Sequence, residues 1–114
     1  MQILCIMKKN DMRRWLKKYS PEDVEFTQHA KIRCSQRRIS VDLLEDNLLN
    51  PKNLIFIKEE GSPGHNKYKF KLYFKLSNAR TLCIRVIINK SLKVITSYII
   101  VNKIQKGLWL KWKK

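Results

Sequence analysis

His29, Arg33 and Arg37 follow one another at intervals of four residues. At 3.6 residues per turn, this spacing places the three side chains, together with Gln36, on one face of a helix. An imidazole takes up and releases protons near neutral pH, and guanidinium groups bind phosphate oxygens in a forked geometry. The stretch therefore predicts a phosphate-handling site, which we expect at the rim of the core and partly shielded from water.

The reaction that such a site suits is RNA cleavage without a metal. It needs a base for the proton of the 2′-hydroxyl, cations for the phosphate and an acid for the departing 5′-oxygen. His29 is the candidate general acid or base, and Arg33 and Arg37 are the candidate phosphate ligands. All nine acidic residues lie before position 61, so the sequence lacks the clustered carboxylates of a two-metal nuclease in its second half. We therefore expect a reaction with no metal and no cofactor.

A second candidate group is Thr96-Ser97-Tyr98, in the last predicted strand. Alternation along a strand places Thr96 and Tyr98 on one face and Ser97 on the other. Apolar residues of this strand occupy both parities, so the pattern does not tell which face is exposed. Thr96 is therefore a candidate site residue. The alternative is that Thr96 and Tyr98 are an ordinary Thr-Tyr pair of a strand without a functional role.

The charge of the chain is strongly basic and uneven. The formal net charge is +16, and residues 61–114 hold thirteen basic residues and no acidic one. Such a field attracts polyanions in a salt-dependent way. Nucleic acid is the first candidate, and an acidic protein is the second. Lys67, Lys69 and Lys71 alternate with apolar residues, and with Arg85 they are predicted to guide the nucleic acid across a sheet.

The pattern of hydrophobic residues predicts an α+β fold, with N-terminal helices packed on a twisted antiparallel sheet of about four strands. The predicted helices run from Asp11 to about Lys18, from Gln28 with Thr27 as its N-cap, and from Val41 to Leu49 with Ser40 as its N-cap. The predicted strands lie in Asn53–Lys58, Lys67–Leu72, Thr81–Ile88 and Leu92–Val101. Val24-Glu25-Phe26 is interpreted as a lead into the second helix.

The length of 114 residues indicates a single domain. We divide it into an N-terminal arm and helix (1–20), a core (21–101) and a basic aromatic tail (102–114). Three widely spaced cysteines without a Cys-x-x-Cys pair favour reduced thiols in a cytoplasmic protein over a zinc site. No apolar run is long enough for a membrane span.

Four short motifs carry a resemblance to a known family. They are Thr-x-His-Ala-x-x-Arg at Thr27–Arg33, Arg-x-Ile-Ser at Arg37–Ser40, Asn50-Pro51 and Val-Ile-Thr-x-Tyr at Val94–Tyr98. In their order and spacing they resemble a family of small toxin-like proteins that is similar to the RelE and BrnT toxins and, more distantly, to the barnase-like ribonuclease fold. The resemblance covers roughly residues 24–101.

This resemblance implies helices on a twisted antiparallel sheet, metal-independent RNA cleavage, and control by an antitoxin. RNA, with or without a ribosome, and an acidic antitoxin are the implied partners. His29 and Arg33 match the helix histidine and arginine of the family, and Thr96 matches its final-strand hydroxyl. The chain departs from the family at Arg38, where a glycine commonly precedes the Ile-Ser pair, and we expect this to alter the turn rather than the chemistry.

Three functional hypotheses follow. The first is a cytoplasmic endoribonuclease of toxin type with His29, Arg33 and Arg37 at its centre. The second is a non-catalytic RNA- or DNA-binding module that uses the basic sheet face. The third is a protein-interaction domain whose basic face meets an acidic partner.

Overall fold

A computed structural model of the chain describes residues 9–62, 64 and 67–101. Three helices and five strands follow one another in these ranges: α1 (Lys9–Leu16), β1 (Val24–Phe26), α2 (Gln28–Arg37), α3 (Val41–Leu49), β2 (Leu54–Glu59), β3 (Tyr68–Lys75), β4 (Arg80–Ile88) and β5 (Leu92–Val101). The strands form one sheet in the order β1-β5-β4-β3-β2. The predicted α+β class is confirmed. The N-terminal arm before residue 9 and the basic aromatic tail (102–114) lie outside the described residues.

The prediction of an antiparallel sheet of about four strands is wrong in two respects, both of which come from β1. The sheet has five strands and is mixed, because β1 pairs in parallel with the start of β5, with Val24 opposite Leu92 and Phe26 opposite Val94. A strand of three residues shows too little alternation to be recognised in a sequence. Its partner also lies far along the chain, where no local pattern can indicate the pairing.

The other four strands form the predicted antiparallel meander β2-β3-β4-β5. One side of this sheet, which we call the core face, packs against the helices through Phe70, Leu72, Ile84 and Val86, all at most 1% exposed. α1 contributes Met12, fully buried within the same core. The opposite side, the second face, carries the residues that alternate with these, such as Lys71, Tyr73, Cys83 and Arg85.

Two of the predicted helix starts are confirmed by their caps. The Thr27 hydroxyl oxygen accepts the N–H of Ala30 at 3.0 Å, and the Ser40 hydroxyl oxygen accepts the N–H of Asp42 at 3.1 Å. α1 differs from its prediction, since it already includes Lys9 and ends at Leu16. The Thr27 and Ser40 caps satisfy amide groups that the start of a helix leaves without partners.

A β-bulge in β5 decides which face each of its residues occupies. Arg85 pairs with Thr96 but its neighbour Val86 pairs with Val94, so Ile95 is an extra residue. An extra residue shifts the alternation by one position. The apolar residues of β5 therefore change parity at the bulge, which is why the sequence pattern left its exposed face undecided.

Candidate functional site

The predicted row of basic residues is present on α2. This helix packs on the core face of β5 through Ala30 and Cys34, and the Cys34 Sγ lies 3.4 Å from the Ser97 Oγ. The Arg33 Nε donates to the His29 Nε2 at 3.5 Å, and the Arg37 Nη1 donates to the Ser97 carbonyl at 2.6 Å. We call His29, Arg33, Gln36 and Arg37 the α2 stripe.

The α2 stripe is less shielded from water than the sequence predicts. Arg33 is half-buried, but His29, Gln36 and Arg37 are exposed. The side chains project beyond the two small buried residues, Ala30 and Cys34, that bring α2 against the strand. The expected position at the rim of the core is therefore correct for Arg33 and wrong for the other three.

Thr96 does not join the α2 stripe. Ser97 faces α2 and pairs with Ile84 of the core face, so its neighbour Thr96 points to the second face. Thr96 instead pairs with Arg85 of β4. The structure thus separates the two parts of the predicted catalytic set by the thickness of the sheet.

On the second face, four residues stand side by side across four strands. Lys58 pairs with Lys71, Lys71 with Arg85, and Arg85 with Thr96. We call the three basic residues Lys58, Lys71 and Arg85 the cation row, and Thr96 continues it on β5. Neighbouring strands lie about 4.8 Å apart, so the four residues span roughly 14 Å across the strands. Lys71, Arg85 and Thr96, which were singled out for separate reasons, are brought together here.

Glu60 lies against the centre of the cation row. Its Oε1 accepts a hydrogen bond from the Arg85 Nε at 3.0 Å, and its Oε2 lies 3.9 Å from the Lys71 Nζ. The exposed fractions of the three side chains are 15% for Glu60, 19% for Lys71 and 34% for Arg85. A carboxylate is thus held between two cations in a partly desolvated position.

Glu60 is not predicted as a site residue from the sequence, because it follows directly on a strand and its neighbours have the pattern of a loop. One signal was available. Glu60 is the last acidic residue before a stretch of 54 residues that contains none, residues 61–114. A carboxylate at the border of a uniformly basic region is a candidate for pairing with the cations of that region.

A second row runs beside the cation row, two residues further along each strand. Phe56 pairs with Tyr73, Tyr73 with Cys83, and Cys83 with Tyr98. We call these four residues the aromatic row. The Cys83 thiol interacts with the hydroxyls of both tyrosines.

The ionisable groups of the aromatic row keep their protons at neutral pH. Burial, reinforced by the adjacent Cys83, raises the pKa of Tyr73 to about 12. The same two causes raise the pKa of Tyr98, and burial raises the pKa of the Cys83 thiol. The phenols therefore remain hydrogen-bond and proton donors next to the cation row.

The three predicted lysines of the β3 region fall into two groups. Lys69 and Lys71 alternate with Phe70 and Leu72 and lie on the second face, as predicted. Lys67 precedes the strand, is exposed, and pairs through its backbone with Gly64. Only the first two of these lysines are therefore fixed by β3 beside Arg85.

The groups of the second face have three chemical capabilities. Glu60 can accept a proton, Lys71 and Arg85 can balance the charge of a phosphate, and the tyrosines can donate. Within residues 9–62, 64 and 67–101, no three His, Cys, Asp or Glu side chains come together as a metal site.

Comparisons with protein-family models, curated proteins and solved structures find no match to this chain. The resemblance to the RelE and BrnT toxins and to the barnase-like fold stays a prediction. In the part of the chain that the structure describes, no helix is long and apolar enough to cross a membrane.

Proposed function

We propose that this protein is a metal-independent endoribonuclease of toxin type and that it cleaves RNA on the second face of its sheet. Glu60 is the general base, and Lys71 and Arg85 bind the scissile phosphate. The observation that carries the proposal is the partly buried carboxylate of Glu60, 3.0 Å from Arg85 and 3.9 Å from Lys71 at the centre of a basic surface. The α2 stripe with His29 is the competing location.

In this mechanism Glu60 takes the proton of a ribose 2′-hydroxyl, and the 2′-oxygen attacks the adjacent phosphorus. The bond between phosphorus and the 5′-oxygen breaks, which leaves a 2′,3′-cyclic phosphate and a 5′-hydroxyl. Arg85 uses its Nε for Glu60, and a guanidinium has five N–H donors, so it can bind the carboxylate and a phosphate oxygen together. Tyr98, protonated and on the same face, supplies the proton for the departing oxygen.

The geometry is that of a preorganised site because the fold holds the cations before the phosphate arrives. Their carbon stems are fixed by neighbouring strands, and Glu60 holds their charged ends in place. Donors that need no rearrangement are the ones that lower an activation barrier most. An acidic antitoxin, which the motif resemblance implies, is the proposed regulator that covers this basic face.

The experiment that tests the proposal is cleavage of a mixed-sequence RNA in EDTA by the unaltered protein, by Glu60→Gln and by His29→Ala. We expect fragments that end in 2′,3′-cyclic phosphate. Glu60→Gln is expected to lower the cleavage rate about 10²- to 10⁴-fold, the usual contribution of a general base, while RNA binding is retained. His29→Ala is expected to cleave within a few-fold of the unaltered protein.

Three outcomes contradict the proposal. Loss of cleavage in His29→Ala but not in Glu60→Gln moves the reaction to the α2 stripe. Fragments without cyclic phosphate exclude the 2′-hydroxyl as the nucleophile. If the protein binds RNA tightly but does not cleave it, and the same result is found with ribosomes and a messenger RNA present, the non-catalytic binding module is the remaining function.

That module is the second candidate function, and one observation favours it. Glu60 is ion-paired with both central cations, Lys71 and Arg85. Such pairing is also the way that proteins hold a basic binding surface in a fixed shape. The Glu60→Gln experiment separates the two functions, because a purely structural carboxylate affects binding and stability but no chemical step.

A further inference from the structure

Phe56 is a large apolar side chain that the proposed reaction does not use. It belongs to the aromatic row of the second face and is 39% exposed. Its ring meets Tyr73 edge-on, with centroids 5.4 Å apart and an interplanar angle of 61°. The large hydrophobic residues of the described ranges that are exposed are Ile32, Val41 and Phe56, and Phe56 is the aromatic one.

The location of Phe56 relates it to the cation row. It lies two residues from Lys58 along β2, and its partner Tyr73 lies two residues from Lys71 along β3. Two residues of a strand span about 6.6 Å and return to the same face. The aromatic row and the cation row thus run side by side, about as far apart as the base and the phosphate of one nucleotide.

We infer that Phe56 is a base-stacking residue and that the second face takes single-stranded RNA. An unpaired base lies on the Phe56 ring while the phosphate beside it lies on Lys58 and Lys71. The inference rests on the proposed function for the identity of the polyanion.

Single-stranded RNA is specified by the chemistry of stacking. In a duplex each base has its two flat surfaces covered by neighbouring base pairs, so a protein aromatic ring cannot lie on it. The basic row by itself attracts single and double strands alike, because both carry phosphates. Phe56 therefore adds a preference for unpaired bases to a surface that is otherwise indifferent.

The test uses a short 2′-O-methyl RNA, which lacks the attacking hydroxyl and cannot be cleaved by this reaction. Its binding is measured as a single strand and as a duplex with its complement, for Phe56→Leu, Phe56→Tyr and the control Val41→Ala. Val41 is 37% exposed at the start of α3, away from the second face. We expect Phe56→Leu to weaken single-strand binding about tenfold and duplex binding less than twofold. Phe56→Tyr and Val41→Ala are expected to bind both like the unaltered protein.

Two results overturn the inference: equal single-strand binding by Phe56→Leu and the unaltered protein, or an equal loss for the duplex. The midpoint of urea unfolding shows whether Phe56→Leu is folded. If Phe56→Leu is not folded, Phe56→Tyr remains as the variant that keeps an aromatic ring at this position. Because the ligand cannot be cleaved, the result is independent of the proposed reaction. If the protein cleaves RNA and Phe56→Leu binds the single strand normally, this inference alone is contradicted. If single-strand binding depends on the Phe56 ring and the protein does not cleave RNA, the inference is supported and the proposed reaction is contradicted.

Discussion

The α2 stripe and the Glu60 cluster of the second face (Glu60, Lys71 and Arg85) are two groups of charged residues built in opposite ways. The α2 stripe comes from one helix of ten residues. Among the described residues, Arg33 hydrogen-bonds to His29 and Gln36 within that helix, and Arg37 donates to the Ser97 carbonyl of β5. The Glu60 cluster comes from β3, β4 and the residue after β2. Its side chains are between 15% and 34% exposed, whereas His29 and Arg37 are exposed.

This difference predicts which group can do chemistry. Interactions between exposed charges are screened by water and salt, and an exposed pair on long side chains contributes little. Partly buried charges are screened less and are fixed by packing, so they can stabilise a transition state without first being ordered. The Glu60 cluster meets this condition and the α2 stripe does not.

Among the variants that compare the two regions, the largest effect is expected from removing one guanidinium group in each. Arg85→Gln deletes the guanidinium of the Glu60 cluster, and Arg33→Gln deletes that of the α2 stripe. We expect Arg85→Gln to lower the rate of RNA cleavage about 10²- to 10³-fold, as the loss of one preorganised donor does. Arg33→Gln is expected to lower it less than about threefold, since the hydrogen bonds of Arg33 go to His29 and Gln36 on the same helix and side-chain pairs of this kind contribute little. Both rates are measured on one RNA at saturating concentration.

Arg85→Lys is the control for charge. It keeps a cation but loses the forked donors, so we expect an intermediate rate. A greater loss for Arg33→Gln than for Arg85→Gln would reverse the ranking of the two regions.

The next effect is on the salt dependence of RNA binding. Each phosphate contact adds about one unit to the slope of log affinity against log salt concentration, less for single strands. Lys71→Gln is expected to reduce that slope by about 0.7 for single-stranded RNA, because Lys71 lies in the cation row. Lys31→Gln, an exposed position of α2, is expected to leave it unchanged. Equal slopes for Lys71→Gln and the unaltered protein would remove Lys71 from the binding surface.

A smaller effect is expected from the buried phenol of the aromatic row. Burial raises the pKa of Tyr73 from 10.0 to about 12, so between these values the unfolded chain loses a proton that the folded chain keeps. The free energy of unfolding is therefore unaffected by this group below pH 10 and falls as the pH rises from 10 to about 12. Tyr73→Phe should lessen this alkaline loss. Urea unfolding at several pH values measures it, and an identical pH dependence in both proteins would contradict the buried state of Tyr73.

How much the sequence reveals follows from the same comparison. A helix stripe is a local pattern, so the residues of α2, its Thr27 cap and its basic row could be predicted from spacing alone. The Glu60 cluster depends on strand register and on the bulge at Ile95, which no local pattern encodes. Lys71 and Arg85 were singled out by charge, but their pairing with each other and with Glu60 is a product of the fold.

β1 was missed for the same reason as Glu60. Three residues, Val24–Phe26, form a strand because β5 offers them an edge, and not because of their own pattern. Sequence reasoning succeeded where the period of one element decides the outcome. It failed where two distant segments must be combined.

The smallest expected effect concerns the turn between α2 and α3. Arg38 has φ 57° and ψ 42°, in the left-handed region, where a side chain costs energy and glycine does not. Its N–H and that of Ile39 close the helix on the Ser35 and Cys34 carbonyls, at 3.3 Å and 2.9 Å. Arg38 is the C-terminal cap of α2, and glycine is the residue that most commonly takes the left-handed conformation at the end of a helix.

We therefore expect Arg38→Gly to raise the free energy of unfolding by about 0.5–1 kcal/mol, measured by urea unfolding. Arg38→Gln removes the charge but keeps a side chain at positive φ, so it should show no gain. Lys31→Gly, at an exposed position inside α2, should lose about 1 kcal/mol. If both glycine variants are less stable, the turn does not favour glycine. Cleavage by Arg38→Gly should be unchanged if the reaction belongs to the second face, because this turn supports α2 and holds no residue of the Glu60 cluster.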